Sequence, residues 1–116
     1  SQCTLKYEAS IFNISAMSFG AISKNAILAL NAGAKAGCFF HNTGEGGISE
    51  HHLKSGGDLV WQIGTGYFGC RTKDGKFDPI EFEKKSRLVS VKMIELKLSQ
   101  GAKPGLGGLL PAAKVS

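Results

Sequence analysis

The sequence predicts an α/β fold in which parallel strands are connected by crossover helices. Apolar strand-like segments alternate with helical ones, in the order strand, helix, strand, loop, strand, helix, strand. The composition, with 42% hydrophobic and 20% charged residues, is typical of a globular protein. The 116 residues allow one small domain and are too few for a complete eightfold α/β barrel, which needs roughly 200 residues or more.

The first half of the chain predicts a strand, a helix and a second strand. Residues 11–16 are apolar and predict a buried strand. Ser23 is a suitable N-cap for a helix over residues 24–35, and Gly37 is a suitable helix stop. Residues 38–41 then predict the second strand.

The second half repeats this order. Residues 59–63 predict a strand that ends in a glycine-rich turn. Asp78 followed by Pro79 marks the start of a helix that should end near Arg87. Residues 91–98 alternate in polarity and predict the last strand, which leads into another glycine-rich loop.

The net charge of +5 comes from the second half of the chain. Residues 59–116 carry ten basic and five acidic side chains, whereas residues 1–58 carry four of each. The basic residues are scattered and no basic strand is rich in aromatics, so we do not expect nucleic-acid binding. Three widely spaced cysteines predict no metal or cluster site within the chain. The absence of a signal peptide and of a long apolar run favours a cytoplasmic setting, with a membrane anchor outside this chain left open.

Glycine is concentrated in the later part of the chain and follows predicted strands. Of the 16 glycines, 13 fall at or after Gly44, which suggests that the backbone there approaches another group closely or adopts positive φ. Loops rich in small residues follow three strands, at residues 15–20, 42–47 and 100–108. Because the carboxyl ends of strands build the binding site in α/β sheets and barrels, these loops are candidate ligand contacts.

Lys97 is the most informative charged residue. Alternation places it on the sheet face opposite Leu96 and Leu98, where a buried ammonium needs a partner or a ligand. Glu95 lies on the same face and is a candidate partner. A Glu95–Lys97 ion pair and an edge strand that faces water are the alternatives to a functional role.

Three other features are weaker signals of function. Residues 64–69 (GTGYFG) match the dinucleotide fingerprint, but turn-like residues follow where a helix should begin, so an NAD site is not expected. His41, His51 and His52 have no standard metal-site spacing, and hydrogen-bonded or surface roles are expected for them. Glu45 lies between glycines, where a carboxylate is more often solvated than catalytic.

Three long motifs in the right order resemble the FMN-binding synthase domain of glutamate synthase. They are residues 14–24 (ISAMSFGAISK), residues 42–47 (NTGEGG) and residues 97–108 (KLSQGAKPGLGG). The stretches HNTGEGG and WQIGTGYFGC are similar to those of stand-alone FMN-binding glutamate synthase family proteins. The resemblance implies that residues 1–116 form a single partial domain, the N-terminal portion of a (β/α)8 TIM barrel with FMN at its C-terminal mouth.

The resemblance also implies the chemistry and the flavin contacts. In this family reduced FMN donates a hydride to the imine formed from ammonia and 2-oxoglutarate, and glutamate is the product. The cofactor-binding residues would be Ala16, Met17 and Ser18 against the flavin, Gln62 on its pyrimidine side and Lys97 near N1 and O2. A fixed cation there would stabilise the anionic reduced flavin, which makes Lys97 a catalytic residue.

The substrate site implied by the resemblance contains Glu45, Lys103 and Met17, with Lys103 pairing with a carboxylate and Glu45 also catalytic. Glutamate synthase proper has a serine where His41 stands and a substrate-binding glutamine where Leu109 stands. An enzyme forming an N-substituted glutamate, such as N-methylglutamate from methylamine, is therefore an alternative, as is a non-catalytic barrel scaffold.

The resemblance implies further partners. Ammonia, free or derived from glutamine, would be a substrate, and the electron donor would be a protein or subunit, linked to ferredoxin or to NAD(P)H. Any iron–sulfur cluster would be bound outside this chain. We expect the chain to be part of a longer polypeptide and to be inactive on its own.

Overall fold

The structure is a computed structural model that describes residues 3–102. A three-stranded parallel sheet in the order β1-β2-β3 lies at its centre, which confirms the α/β class. The elements are α1 (Lys24–Gly37), β1 (His41–Asn42), α2 (Glu50–Leu53), β2 (Leu59–Ile63), α3 (Pro79–Ser86) and β3 (Val91–Leu96). Lys103 and Leu109 lie outside the described residues.

The sheet has two faces of different character. Register pairs Gln62 with Glu95, so these side chains point to one face, which we call the open face. The neighbouring Trp61 points to the other face, the helix face, where its ring stacks on Phe82 of α3 with 5.7 Å between centroids. The buried core of the helix face contains Trp61, Ile63 and Cys70.

Helix α1 begins where the sequence predicts. The Ser23 hydroxyl accepts a hydrogen bond from Ala26 N at 3.2 Å, which confirms the N-cap. The end differs from the prediction because Gly37 is still helical, and Cys38 is the residue in the left-handed conformation, with φ of 57°. A side chain at position 37 would overlap the ring of Phe39 unless that ring moved.

The predicted strand over residues 11–16 is wrong. Only Ile14 pairs, in a parallel bridge with His41, through its N–H to Phe40 O and its carbonyl to Asn42 N, both at 3.0 Å. The N–H of Phe40 is taken by the side-chain oxygen of Asn13 at 3.1 Å, which replaces a further backbone rung. The strand predicted at residues 38–41 starts only at His41, because the N–H of Phe40 is bound by a side chain and not by a neighbouring strand.

The later elements follow the sequence more closely. Strand β2 matches its predicted bounds, and Asp78 caps α3 by accepting from Ile80 N and Glu81 N. Strand β3 ends at Leu96, short of the predicted Leu98, because the last ladder bond runs from Lys97 N to Ile63 O. Helix α2 has no counterpart in the prediction. Among the described residues, no helix is both long and apolar enough to cross a bilayer.

Candidate functional site

The loop after the Ile14 bridge and the loop after β1 pack closely against each other. A Cβ at Gly44, where φ is +70°, would lie 2.6 Å from Ser18 N and 3.0 Å from the carbonyl carbon of Met17. A Cβ at Gly46 would lie 3.0 Å from the Ser18 Cβ. The loop around Met17 and Ser18 therefore lies directly on the loop of residues 43–47, which confirms the close approach expected from the glycines.

Lys97 forms an ion pair with Glu45 in the described structure. Its ammonium contacts Glu45 Oε2, while the other carboxylate oxygen accepts from the Gln100 side-chain amide at 2.8 Å. The two side chains are 35% and 31% exposed, so solvent screens the pair. Alternation correctly put Lys97 on the open face, but the candidate partner Glu95 is wrong, because a loop carboxylate reaches the ammonium instead.

Glu95 has its own donors. Its Oε2 atom accepts hydrogen bonds from the side-chain amides of Asn42 and Gln62, the latter at 3.4 Å. The backbone N–H of Gln62 donates in turn to the Thr43 hydroxyl at 3.2 Å. Two amides and one carboxylate thus form a polar row across β1, β2 and β3 on the open face.

A groove of about 590 Å³ lies along the open face. Val60 and Met93 form an apolar part of its lining, and Asn42 and Glu95 form a polar part. Ala16, one of the predicted flavin contacts, is also a lining residue. The groove therefore joins an apolar floor to the polar row at the carboxyl ends of the strands.

Most of the predicted site residues lie at this end of the sheet. Glu45 and Lys97 are in direct contact, Gln62 reaches Glu95 in the adjacent position, and Met17 and Ser18 lie on the glycine loop that carries Glu45. Lys103 is outside the described residues. Sequence analysis missed Asn42, Glu95 as an amide acceptor, and Gln100, although the alternation of β3 already put Glu95 on the correct face.

A second polar cluster lies on the helix face. His41 and His52 are fully buried, with 5.3 Å between ring centroids, and the Nδ1 atom of each makes a hydrogen bond, as expected for hydrogen-bonded histidines. Burial, with a smaller effect from His52, lowers the pKa of His41 to about 4. Burial also lowers the pKa of His52. No group of three or more His, Cys, Asp or Glu side chains in residues 3–102 could hold a metal ion.

Comparison with known proteins decides the family. A family model described as a conserved region in glutamate synthase matches residues 4–116, nearly the whole chain. The chain belongs to the glutamate synthase family. This family assignment agrees with the resemblance carried by the three sequence motifs.

The glutamate synthase family includes relatives from bacteria and archaea. The chain is 52% identical over 88% of its length to the glutamate synthase large subunit-like protein YerD of Bacillus subtilis, and this region is 19% of that protein. It is 37% identical over 97% of its length to the archaeal-type glutamate synthase [NADPH] of Thermotoga maritima, covering 19% of it. The archaeal glutamate synthase [NADPH] of Archaeoglobus fulgidus is 39% identical over 88% of the chain and 17% of its own length.

The chain thus spans about a fifth of the length of the curated relatives it matches. No solved structure matches the chain.

Proposed function

We propose that this chain is the N-terminal part of an FMN-binding (β/α)8 barrel in a glutamate synthase-like oxidoreductase, which aminates 2-oxoglutarate reductively to glutamate. The observation that carries the proposal is the contact between Lys97 and Glu45 at the carboxyl ends of parallel strands. Parallel strands in sequential order with helices on one face are the pattern of such a barrel, and functional residues lie at the C-terminal ends of its strands. Family membership supports the same reaction class.

The described residues fit an FMN ring. Gly44 and Gly46 let the loop of residues 43–47 pack directly on Met17 and Ser18, which would hold that segment in place for contact with a flat ring. The Gln62 amide supplies polar groups for the pyrimidine edge, and Ala16 contributes a small apolar contact. When bound, FMN supplies the hydride for the reductive step.

Lys97 and Glu45 have complementary tasks in this proposal. Lys97 supplies a fixed positive charge next to the ring position where negative charge develops, and Glu45 holds the ammonium in place. An ion pair exposed by about a third is weak, because solvent screens it, so either side chain can exchange its partner for a ligand at little cost. Glu45, Met17 and Lys103 would then contact the 2-oxo acid, with Lys103 on a carboxylate.

Leu109 supports a second candidate function. It stands where the resemblance expects a glutamine that binds substrate, so an amine larger than ammonia could be accepted and an N-substituted glutamate could be formed. A non-catalytic barrel scaffold is the third possibility. Bound FMN that can be reduced in the purified full-length protein would argue against a scaffold, and rates with ammonia and methylamine separate the two enzymes.

Electron supply and location are part of the same proposal. Two of the relatives are named as NADPH enzymes, which favours an NAD(P)H-linked donor over a ferredoxin-linked one. Ammonia would be used directly or delivered from glutamine, any iron–sulfur cluster would be bound by other parts of the protein, and the setting would be cytoplasmic.

The proposal is tested with Lys97→Met in the full-length protein. We expect flavin reduction to slow by at least about tenfold, because loss of one preorganised charge partner of a developing anion has effects of this size or larger. The control is Lys92→Met, which removes an exposed lysine from the same strand. Stopped-flow absorbance of the flavin measures both variants, and equal reduction rates in the two would contradict the role of Lys97.

A further inference from the structure

Glu95 is a carboxylate of the candidate site that has no task in the reaction proposed above. It lies on the open face of β3 and lines the groove together with Asn42. Its Oε2 atom accepts from the side-chain amides of both Asn42 and Gln62, whereas the ion pair with Lys97 is made by Glu45. The two amides are therefore the groups on which Glu95 acts.

A carboxylate fixes the direction of an amide side chain that donates to it. An amide has a donor end, the NH2, and an acceptor end, the carbonyl oxygen, and half a turn of the group exchanges the two. A carboxylate oxygen can only accept, so it binds the NH2 end. Glu95 consequently directs the oxygens of Asn42 and Gln62 away from itself.

Asn42 is held in this direction by a second contact. Its Oδ1 atom accepts the backbone N–H of Gly44 at 2.9 Å, and an N–H can bind only the oxygen end of an amide. Both contacts thus require the same orientation. Asn42 is 6% exposed, so loss of a partner at either end is costly. Through Asn42, Glu95 is linked to the loop that carries Glu45.

Gln62 is held by Glu95 at one end only. Its backbone is fixed, because its N–H donates to the Thr43 hydroxyl at 3.2 Å, and its side-chain NH2 donates to Glu95 at 3.4 Å. Among the described residues, none donates to Gln62 Oε1. The orientation set by Glu95 therefore leaves an acceptor oxygen, and not a donor, for a ligand at this end of the polar row.

We propose that Glu95 is a positioning residue that directs the oxygen of Gln62 toward the ligand, so that the site selects a ring edge bearing an N–H donor. The identity of the ring rests on the proposed function, since the pyrimidine edge of FMN carries such an N–H at N3. A reversed Gln62 would oppose this donor with its own NH2, which is unfavourable. Glu95 acts here through its acceptor oxygen and not through its charge.

Two substitutions in the full-length protein separate the acceptor from the charge. Glu95→Gln retains an oxygen that accepts from both amides and removes the charge, whereas Glu95→Met removes both with a side chain of similar length. The first readout is hydrogen exchange at Gly44 without FMN. Thr43 is the internal reference, because its N–H binds the backbone oxygen of Val60 at 3.0 Å.

We expect Glu95→Met to raise exchange at Gly44 about fivefold, because Asn42 is no longer held, and to leave Thr43 unchanged. Glu95→Gln should stay within about twofold of the wild type at both amides. Unchanged exchange at Gly44 in Glu95→Met would overturn the link from Glu95 through Asn42 to the loop.

The second readout is titration with FMN and with FMN methylated at N3, which lacks the donor. The wild type should bind FMN more tightly. We expect this preference, as the ratio of the two dissociation constants, to fall about fivefold in Glu95→Met and to stay within about twofold of the wild type in Glu95→Gln. General loss of structure would weaken both flavins alike, so the ratio reports the orientation of Gln62.

An unchanged ratio in Glu95→Met would overturn the proposal, and so would an equal fall in Glu95→Gln, which would assign the effect to charge. If Glu95→Met does not fold, Glu95→Gln decides alone: a wild-type ratio supports the acceptor role and a reduced ratio overturns it. If the wild type binds neither flavin, the proposed function fails, whereas exchange at Gly44 still supports or overturns the action of Glu95 on Asn42.

Discussion

Replacing Gly44 by alanine tests the close approach of the two loops that form the candidate site. The added Cβ would lie 2.6 Å from Ser18 N and 3.0 Å from the carbonyl carbon of Met17, and both are backbone atoms that cannot rotate away. Left-handed φ costs a non-glycine residue roughly 1–2 kcal/mol. Overpacking against fixed atoms typically costs about 1–3 kcal/mol more. We therefore expect Gly44→Ala to lower the free energy of unfolding by about 2–5 kcal/mol.

Gly56→Ala is the matched control for this prediction. Its φ is +73°, nearly equal to that of Gly44, but no atom lies within 4 Å of the position a Cβ would take. This variant should show only the backbone cost of roughly 1–2 kcal/mol. The difference between the two variants, about 1–3 kcal/mol, isolates the contact with the Met17–Ser18 backbone.

Chemical denaturation of the full-length protein without FMN measures both free energies, and FMN titration then reports the site. Gly44→Ala should also weaken FMN binding, because the loop can accommodate the methyl group only by moving Met17 and Ser18. Gly56→Ala should bind FMN like the wild type. Equal losses of stability in the two variants would refute the reasoning, since they would mean that the loops separate without cost.

Two further predictions concern the buried groups of the helix face. The pKa of His41 is about 4 in the folded chain against an ordinary value of 6.5, so the unfolded state binds more protons between these values. The contribution of neutral His41 to the free energy of unfolding is therefore complete above pH 6.5 and falls by roughly 3 kcal/mol toward pH 4. Denaturation curves of His41→Leu should lack this part of the decline. Burial raises the pKa of Cys70, whereas Cys3 and Cys38 are exposed, so a thiol reagent should modify Cys70 only on unfolding; rapid modification of Cys70 in the folded protein would contradict its burial.

The sequence predicted those elements whose determinants are local. The caps at Ser23 and Asp78 need only a side chain and the next few N–H groups. The bounds of β2 follow from an apolar run that only Gln62 interrupts. Helix α2 also has a serine N-cap, Ser49, but no apolar run. It is four residues long, and its capping box uses His52 at the position where glutamate or glutamine is usual.

The wrong strand over residues 11–16 shows a different limit. Its apolar composition is that of a buried strand, but Ile11 is fully exposed and Phe12 is 67% exposed in the described structure. Whether such a segment pairs depends on the strand beside it. Here the Asn13 side chain accepts the N–H of Phe40, so that N–H does not bond to backbone. Composition reports which residues could be buried, whereas pairing is decided by residues distant in sequence.

The candidate site likewise combines features that the sequence predicted with contacts that it could not predict. Alternation along β3 fixed the face of Lys97 and Glu95, but the loop contact with Glu45 depends on the tertiary fold. Because Glu95 is bound by neutral amides and Lys97 is matched by Glu45, these three side chains together carry one net negative charge. Such a cluster suits a neutral ring or an ammonium group better than a dicarboxylate. Under the proposed function, recognition of 2-oxoglutarate needs positive charge from outside this cluster, and Lys103 is the lysine that the resemblance assigns to a carboxylate of the substrate.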